Sequence, residues 1–109
     1  MAEGTPTSGF RFTPVAVRDL EAIWDHIASD RPETASTVVR RIIEAVERLS
    51  EFPLMGHPRD DLADESLRVW PILGYLIIYR PDRQPIEVLR VLSGYRDLVA
   101  LFPGDRADR

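Results

Sequence analysis

The chain has 109 residues, which is the size of one compact domain. Its residues are 44% hydrophobic and 29% charged, as in ordinary globular proteins, and the absence of cysteine excludes a disulfide scaffold, thiol catalysis and a thiolate zinc site. The net charge of −4 does not favour general binding to nucleic acids, although all fourteen basic residues are arginine and a local arginine cluster could still act.

The first nine residues are rich in Gly, Thr, Ser and Pro and have few apolar side chains. We therefore expect residues 1–9 to form a flexible leader, residues 10–102 to form a single domain and residues 103–109 to form a tail. The sequence has no apolar run of membrane-spanning length and no charged start followed by an apolar run. This pattern predicts a cytoplasmic protein without a membrane partner.

Residues 10–12 alternate apolar and polar side chains, which predicts a short first strand. Thr13 followed by Pro14 is typical of a helix start, with Thr13 as the N-cap and Pro14 at the first helical position. Apolar side chains at helical spacing then predict an amphipathic helix over residues 15–27. They are Ala16, Leu20, Ile23, Trp24 and Ile27.

A second amphipathic helix is predicted over residues 35–49. Asp30 and Glu33 have the spacing of a capping box before it, and Phe52 and Pro53 follow it. Two such helices joined by a few residues should pack antiparallel as a hairpin, and the hairpin needs a further apolar surface to cover.

That surface is predicted from three strand patterns, at residues 67–70, 72–79 and 86–93, with residues 81–85 as the turn before the last strand. Pro71 leaves open whether the first two patterns are one bent strand or two strands separated by a tight corner. The middle pattern is apolar at nearly every position, which predicts a central strand covered on both faces. Because no remaining segment is large enough to cover the second face fully, we expect an external apolar partner there.

The predicted fold class is therefore α+β, with a short N-terminal strand and an antiparallel helical hairpin packed on a C-terminal antiparallel β-sheet. This order of elements resembles that of the RelE/ParE superfamily of bacterial toxins, and it is more similar to the ParE branch than to the RelE branch. The resemblance covers residues 10–101. It rests on the segments FTPVAVRDLEAIWDHIA, LSEFPLMGHPRDDL, LRVWPILGYLIIYRP and IEVLRVLSGYRDL.

The resemblance implies a growth-inhibiting toxin of a type II toxin–antitoxin system. Its partner would be a ParD-like antitoxin that has a ribbon-helix-helix pattern and an apolar C-terminal segment. Many ParE-like members poison DNA gyrase, so we expect inhibition of gyrase by binding, without a cofactor and without direct DNA binding by this chain. RelE-like members cut messenger RNA on the ribosome, so a messenger RNA endonuclease and an inactive antitoxin-binding member stay open as alternatives.

The candidate residues for target binding and toxicity are Arg68, Arg90, Tyr95 and Arg96. Arg68 could instead lay its aliphatic stem over Trp70. Arg90 interrupts an apolar strand face, where a charge needs a partner, either in the neighbourhood of Glu87 or on a helix, such as Asp19. Tyr95 and Arg96 follow a glycine just beyond the sheet, where function often concentrates, but Arg96 and the next aspartate could be a solvated pair.

A nuclease would need groups that move protons and cations that stabilise the phosphorane charge. The set available for this role is His57, Arg68, Tyr95 and Arg96. An ordinary exposed loop histidine accounts for His57 equally well. Many relatives carry a histidine where this chain has Ser93, which weakens the endonuclease interpretation.

The candidate anchors for the antitoxin are the large side chains Trp24, Tyr75, Ile77 and Tyr79, any of which could instead belong to the core. No metal site is predicted, because two distant histidines and scattered acids lack the spacing of a metal centre. An acidic run after the second helix could hold a hard cation but is more typical of a solvated loop. It consists of Asp60, Asp61, Asp64 and Glu65.

Overall fold

The computed structural model describes residues 9–59 and 66–94. A first strand precedes two helices, a short 3₁₀ turn and four further strands. The elements are β1 (Phe10–Phe12), α1 (Pro14–Ala28), α2 (Pro32–Glu51), the 3₁₀ turn Pro53–Met55, β2 (His57–Pro58), β3 (Arg68–Ile72), β4 (Tyr75–Arg80) and β5 (Ile86–Leu92). This order confirms the predicted α+β class. Neither helix of the described ranges is long and apolar enough to cross a bilayer.

The predicted start of α1 is confirmed, because the Thr13 Oγ1 accepts a hydrogen bond of 3.1 Å from the Ala16 N–H. The predicted capping box of α2 is wrong. Arg31 occupies the N-cap without a side-chain hydrogen bond. The N–H groups of Asp30 and Arg31 both bond the Ile27 carbonyl, which extends the end of α1 into the connection and leaves Asp30 outside the second helix.

The helical hairpin covers one face of the sheet and forms the main core with it. Helix α1 buries Ala16 and Ile23, and α2 buries a stripe of apolar side chains at helical spacing. The stripe consists of Ala35, Ile42, Val46 and Leu49. From the sheet, the core receives Ile77, Tyr79, Ile86, Val88 and Val91.

The sheet has five strands in the order β1-β5-β4-β3-β2. It is mixed rather than wholly antiparallel, because β1 runs parallel to β5 while the other neighbours are antiparallel. Strand β2, which was not predicted, pairs His57 with Val69 and Pro58 with Arg68. The central position of β4 agrees with its continuous apolar sequence.

Pro71 lies inside a single strand, and the chain reverses after it. Leu73 and Gly74 form the reversal with φ values of 53° and 84°, between the paired residues Ile72 and Tyr75. Pro71 is tolerated because β2 faces β3 only at Arg68 and Val69, so no neighbour on that side needs the N–H that proline lacks.

The second face of the sheet carries its own apolar cluster of Leu67, Val69, Ile78 and Leu92, and none of these side chains is more than 5% exposed. Leu76 and Leu89 pack against the cluster. The prediction that this face lies uncovered and awaits an external apolar partner is therefore wrong for these residues. They already lose nearly all contact with solvent within the chain.

Candidate functional site

Residues at the start of α1 form hydrogen bonds with the backbone of β5 beyond the end of its pairing with β1. The Thr13 N–H donates to the Val88 carbonyl, and the Thr13 hydroxyl donates to the Leu89 carbonyl at 3.0 Å. Six residues further on, the Asp19 carboxylate accepts the Val91 N–H at 2.9 Å. Side chains of α1 thus take over the edge groups that a longer β1 would have paired.

Arg90 is held by the same carboxylate. Its Nε donates to the Asp19 Oδ2 at 2.8 Å and its Nη2 donates to the Oδ1 at 2.9 Å, which is a bidentate ion pair. The hydrogen bond to Asp19 raises the pKa of Arg90 above its ordinary value. The side chains of Arg90 and Asp19 are 26% and 15% exposed. The structure therefore shows the predicted pair with a helix carboxylate, and a role of Arg90 in toxicity stays a prediction.

Arg68 and Tyr79 fix the turn that follows α2. Arg68 donates from its Nη1 to the carbonyls of Gly56 and Leu54, at 2.6 and 3.1 Å. The Tyr79 hydroxyl donates to the Pro53 carbonyl at 2.7 Å and accepts the Gly56 N–H at 2.9 Å. Burial raises the pKa of Tyr79, and the hydrogen bond from Gly56 and the charge of Arg68 oppose that rise only in part.

Gly56 is required here by close packing. A Cβ atom at this position would overlap the hydroxyl and ring of Tyr79, although the φ of −71° is ordinary. The fixed turn carries two of the most exposed apolar side chains of the described ranges, Phe52 at 55% and Leu54 at 70%. Arg68 therefore positions a turn through its guanidinium. No sequence pattern indicated its carbonyl partners.

The predicted nuclease set is assembled only in part. His57 and Arg68 lie on the neighbouring strands β2 and β3, and the His57 ring stacks on Trp70 with centroids 6.1 Å apart and planes inclined by 13°. The guanidinium of Arg68 is engaged by two carbonyls. Tyr95 and Arg96 lie outside the described residues, as do Asp60, Asp61, Asp64 and Glu65. Within the described ranges, no three His, Asp or Glu side chains gather as metal ligands.

The predicted antitoxin anchors divide into exposed and buried residues. Trp24 is 40% exposed and borders a groove of about 470 Å³ between the two helices, which we call the Trp24 groove. Its other lining residues are Ser36, Val39, Arg40, Ile43, Glu44 and Glu47. Tyr75 is half-buried beside a smaller groove at the end of α1. Ile77 and Tyr79 are fully buried in the core, so they offer no surface to a partner and the prediction is wrong for both.

A second groove, of about 290 Å³, lies on the other flank of α2 and was missed by the sequence analysis. We call it the Trp70 groove. It is lined by Arg41, Glu44, Ala45, Arg48, Met55, Trp70 and Ile72. One feature of the sequence could have indicated this groove. Arg41 and Arg48 are seven residues apart, so they lie on the same face of the helix.

Comparison with known proteins agrees with this fold. Residues 10–98 match the family model described as the ParE toxin of the type II toxin-antitoxin system, parDE. The chain is 36% identical over 86 residues to the protein named "Putative toxin Y4kP" of Sinorhizobium fredii, covering 79% of this chain and 88% of that protein. It is 30% identical over 83 residues to Toxin ParE3 of Caulobacter vibrioides, covering 75% of this chain and 82% of that protein.

A solved structure titled "Chromosomal ParDE TA system from P. aeruginosa" has the same fold, with a TM-score of 0.68 and 24% sequence identity. The match covers 84% of this chain and 100% of that one. The chain belongs to the ParE toxin family of type II toxin–antitoxin systems. This membership confirms the resemblance found in the sequence.

Proposed function

We propose that this ParE-family toxin inhibits DNA gyrase by binding it and is neutralised by a cognate antitoxin. The observation that carries the proposal is the match to the ParE family over residues 10–98, which spans both helices and all five strands. The family resemblance links ParE-like members to gyrase rather than to the ribosome.

The chemistry of the described residues supports binding in preference to cleavage. Of the groups that could serve a nuclease, Arg68 holds two backbone carbonyls through its Nη1, and His57 is exposed and stacked on Trp70. The carbonyls orient the Arg68 guanidinium toward the turn, whereas a cation that stabilises a transition state must aim its donors at the reacting phosphate. The net charge of −4 also disfavours a tight complex with ribosomal RNA.

The antitoxin is proposed to carry a ribbon-helix-helix pattern and an apolar C-terminal segment that enters the Trp24 groove. This groove places the exposed indole of Trp24 beside the half-buried side chains of Val39 and Ile43. Such an arrangement suits an amphipathic helix laid between two helices, with Trp24 as an anchor.

The proposal is tested by adding the purified protein separately to a gyrase supercoiling reaction and to a translation reaction in which messenger RNA cleavage is mapped. We expect supercoiling to be inhibited and the messenger to stay intact. Cleaved messenger with normal supercoiling would instead establish the endonuclease. Neither effect, with antitoxin binding retained, would identify an inactive member of the family.

A further inference from the structure

The Trp70 groove has an apolar floor that is only half covered. Ala45 and Met55 line it from α2 and the 3₁₀ turn, and Trp70 and Ile72 line it from β3. All four side chains are intermediate in exposure. The groove lies on the same face of the sheet as the hairpin, and its Trp70 ring is also stacked by His57. Its floor therefore suits the apolar side chains of a partner protein more than the flat, polar base of a nucleotide.

The rim of this groove carries positive charge that no ion pair among the described residues neutralises. Arg41 and Arg48 are seven residues apart on α2, so they lie about two helical turns, or about 10 Å, apart along one face. Both are exposed, and neither guanidinium forms an ion pair or hydrogen bond with another residue in the described ranges. Glu44 lies between them, but Arg40 approaches its carboxylate at 3.8 Å.

The Trp24 groove on the other flank of α2 has the opposite charge. Its rim contains Arg40, Glu44 and Glu47. Glu44 lines both grooves, so only the exposed ridge of α2 separates them. A single polypeptide that crosses this ridge could occupy both, and each part would then raise the effective concentration of the other.

We infer that the Trp70 groove docks an acidic, apolar segment of the antitoxin, whose carboxylates face Arg41 and Arg48, as a continuation of the segment in the Trp24 groove. This inference rests on the proposed neutralisation by an antitoxin. Charge complementarity selects an acidic occupant, because these two arginines have no ion-pair partner among the described residues and lie on a chain of net charge −4. The same net charge disfavours a long polyanion such as nucleic acid.

The test compares two variants of equal net charge for affinity to the antitoxin encoded beside the toxin. The groove variant is Arg41→Glu with Arg48→Glu. The control is Arg18→Glu with Arg31→Glu, which reverses two exposed arginines outside the groove. We expect the groove variant to bind at least about tenfold more weakly than wild type at low salt, and the control to change by less than about twofold.

The salt dependence gives a second readout, because exposed charge pairs are screened as ionic strength rises. The affinity of the wild-type protein should fall with added salt more steeply than that of the groove variant. Equal binding by the groove variant and the control would overturn the inference while leaving neutralisation intact. Absence of binding by the wild-type protein would instead contradict the proposed function itself.

Two further measurements separate the effect of charge reversal from that of charge loss, and an antitoxin site from a nucleic-acid site. Arg41→Gln and Arg48→Gln remove the charges singly without reversing them, and each should weaken binding by less than the double reversal. A single-stranded DNA oligonucleotide serves as the competing probe. If wild type binds it, and the groove variant loses that binding while keeping its affinity for the antitoxin, the groove is a nucleic-acid site and the inference is overturned.

Discussion

Asp19 shows how one carboxylate can serve three donors at the boundary between a helix and a sheet. It accepts two hydrogen bonds from Arg90 and one from the Val91 N–H. The sequence showed that Arg90 needed a partner, because a charge on an apolar strand face is costly when unpaired. It did not show that the same carboxylate also satisfies the backbone, since that depends on where β1 ends.

We predict that Asp19→Ala lowers the free energy of unfolding by about 1–3 kcal/mol, because it leaves the Val91 N–H and the Arg90 guanidinium without their acceptor. Urea unfolding monitored by circular dichroism measures the change. The matched control is Asp25→Ala, which removes an exposed acid from the same helix. Equal unfolding midpoints for the two variants would contradict the prediction.

Arg90→Ala separates stability from toxicity at the other member of the pair. Because Arg90 is bound to Asp19, we expect this variant to lose stability as Asp19→Ala does, and any loss of toxicity to follow the loss of folded protein. Growth arrest and unfolding are measured on the same variant, with Arg96→Ala beside it. A folded, stable Arg90→Ala protein that no longer arrests growth would show a direct role in target binding.

Tyr79 links stability to alkaline pH. The pKa of Tyr79 is raised above 10.0 in the folded state by burial, so the unfolded chain ionises first as the pH rises. The stabilisation is fully present below the unfolded pKa and is lost as the pH rises through the folded pKa. We expect the wild-type protein to lose stability above pH 10, and Tyr79→Phe to lose less over the same interval.

At neutral pH, Tyr79→Phe should itself cost about 1–3 kcal/mol, because the buried Gly56 N–H loses its acceptor. The gap between the two proteins should then narrow as the pH rises. Tyr75→Phe is the control, since its side chain is only half-buried and forms no hydrogen bond with the described residues. A constant gap across the alkaline range would show that Tyr79 does not set the pH dependence.

At the scale of elements, Thr13 joins α1 to the sheet. It caps the helix through the Ala16 N–H and bonds the Leu89 carbonyl on β5. Thr13→Val keeps the shape but removes both hydrogen bonds, so we expect a loss of about 1–2 kcal/mol in the free energy of unfolding. Thr13→Ser should restore most of it, and Thr37→Val on the exposed face of α2 should change little.

The elements with a clear periodicity could be predicted from the sequence. Both helices, β1 and the last two strands lie where the hydrophobic pattern places them, within a few residues. Strand β2 could not be predicted, because two residues contain no period. The parallel pairing of β1 with β5 is not local either, since it joins residues more than seventy positions apart.

Less of the candidate site than of the fold could be predicted from the sequence. Trp24 was chosen for its size, because large side chains dominate interface energetics, and it is 40% exposed in the structure. Ile77 and Tyr79 were misassigned because β4 is apolar on both faces, so the alternation that separates core from surface is absent. The Trp70 groove requires α2 and β3 to be brought together, which no local pattern specifies.

At the scale of the whole molecule, the exposed apolar surface of the helical hairpin is where an antitoxin is proposed to bind. We predict that Trp24→Ser weakens binding to the antitoxin by about tenfold or more, because a large anchor side chain is lost from the centre of the interface. Val17→Ser is the control, since Val17 is 42% exposed on the same helix but does not line the Trp24 groove. Calorimetric titration measures both variants, and equal affinities would place the antitoxin elsewhere.

The most direct test of the whole account is a supercoiling reaction that contains gyrase and this protein, to which the antitoxin is added in increasing amounts. We expect the protein alone to inhibit supercoiling, and we expect supercoiling to be restored as the antitoxin binds. Supercoiling that proceeds normally in the presence of folded, antitoxin-binding protein would contradict the proposed target.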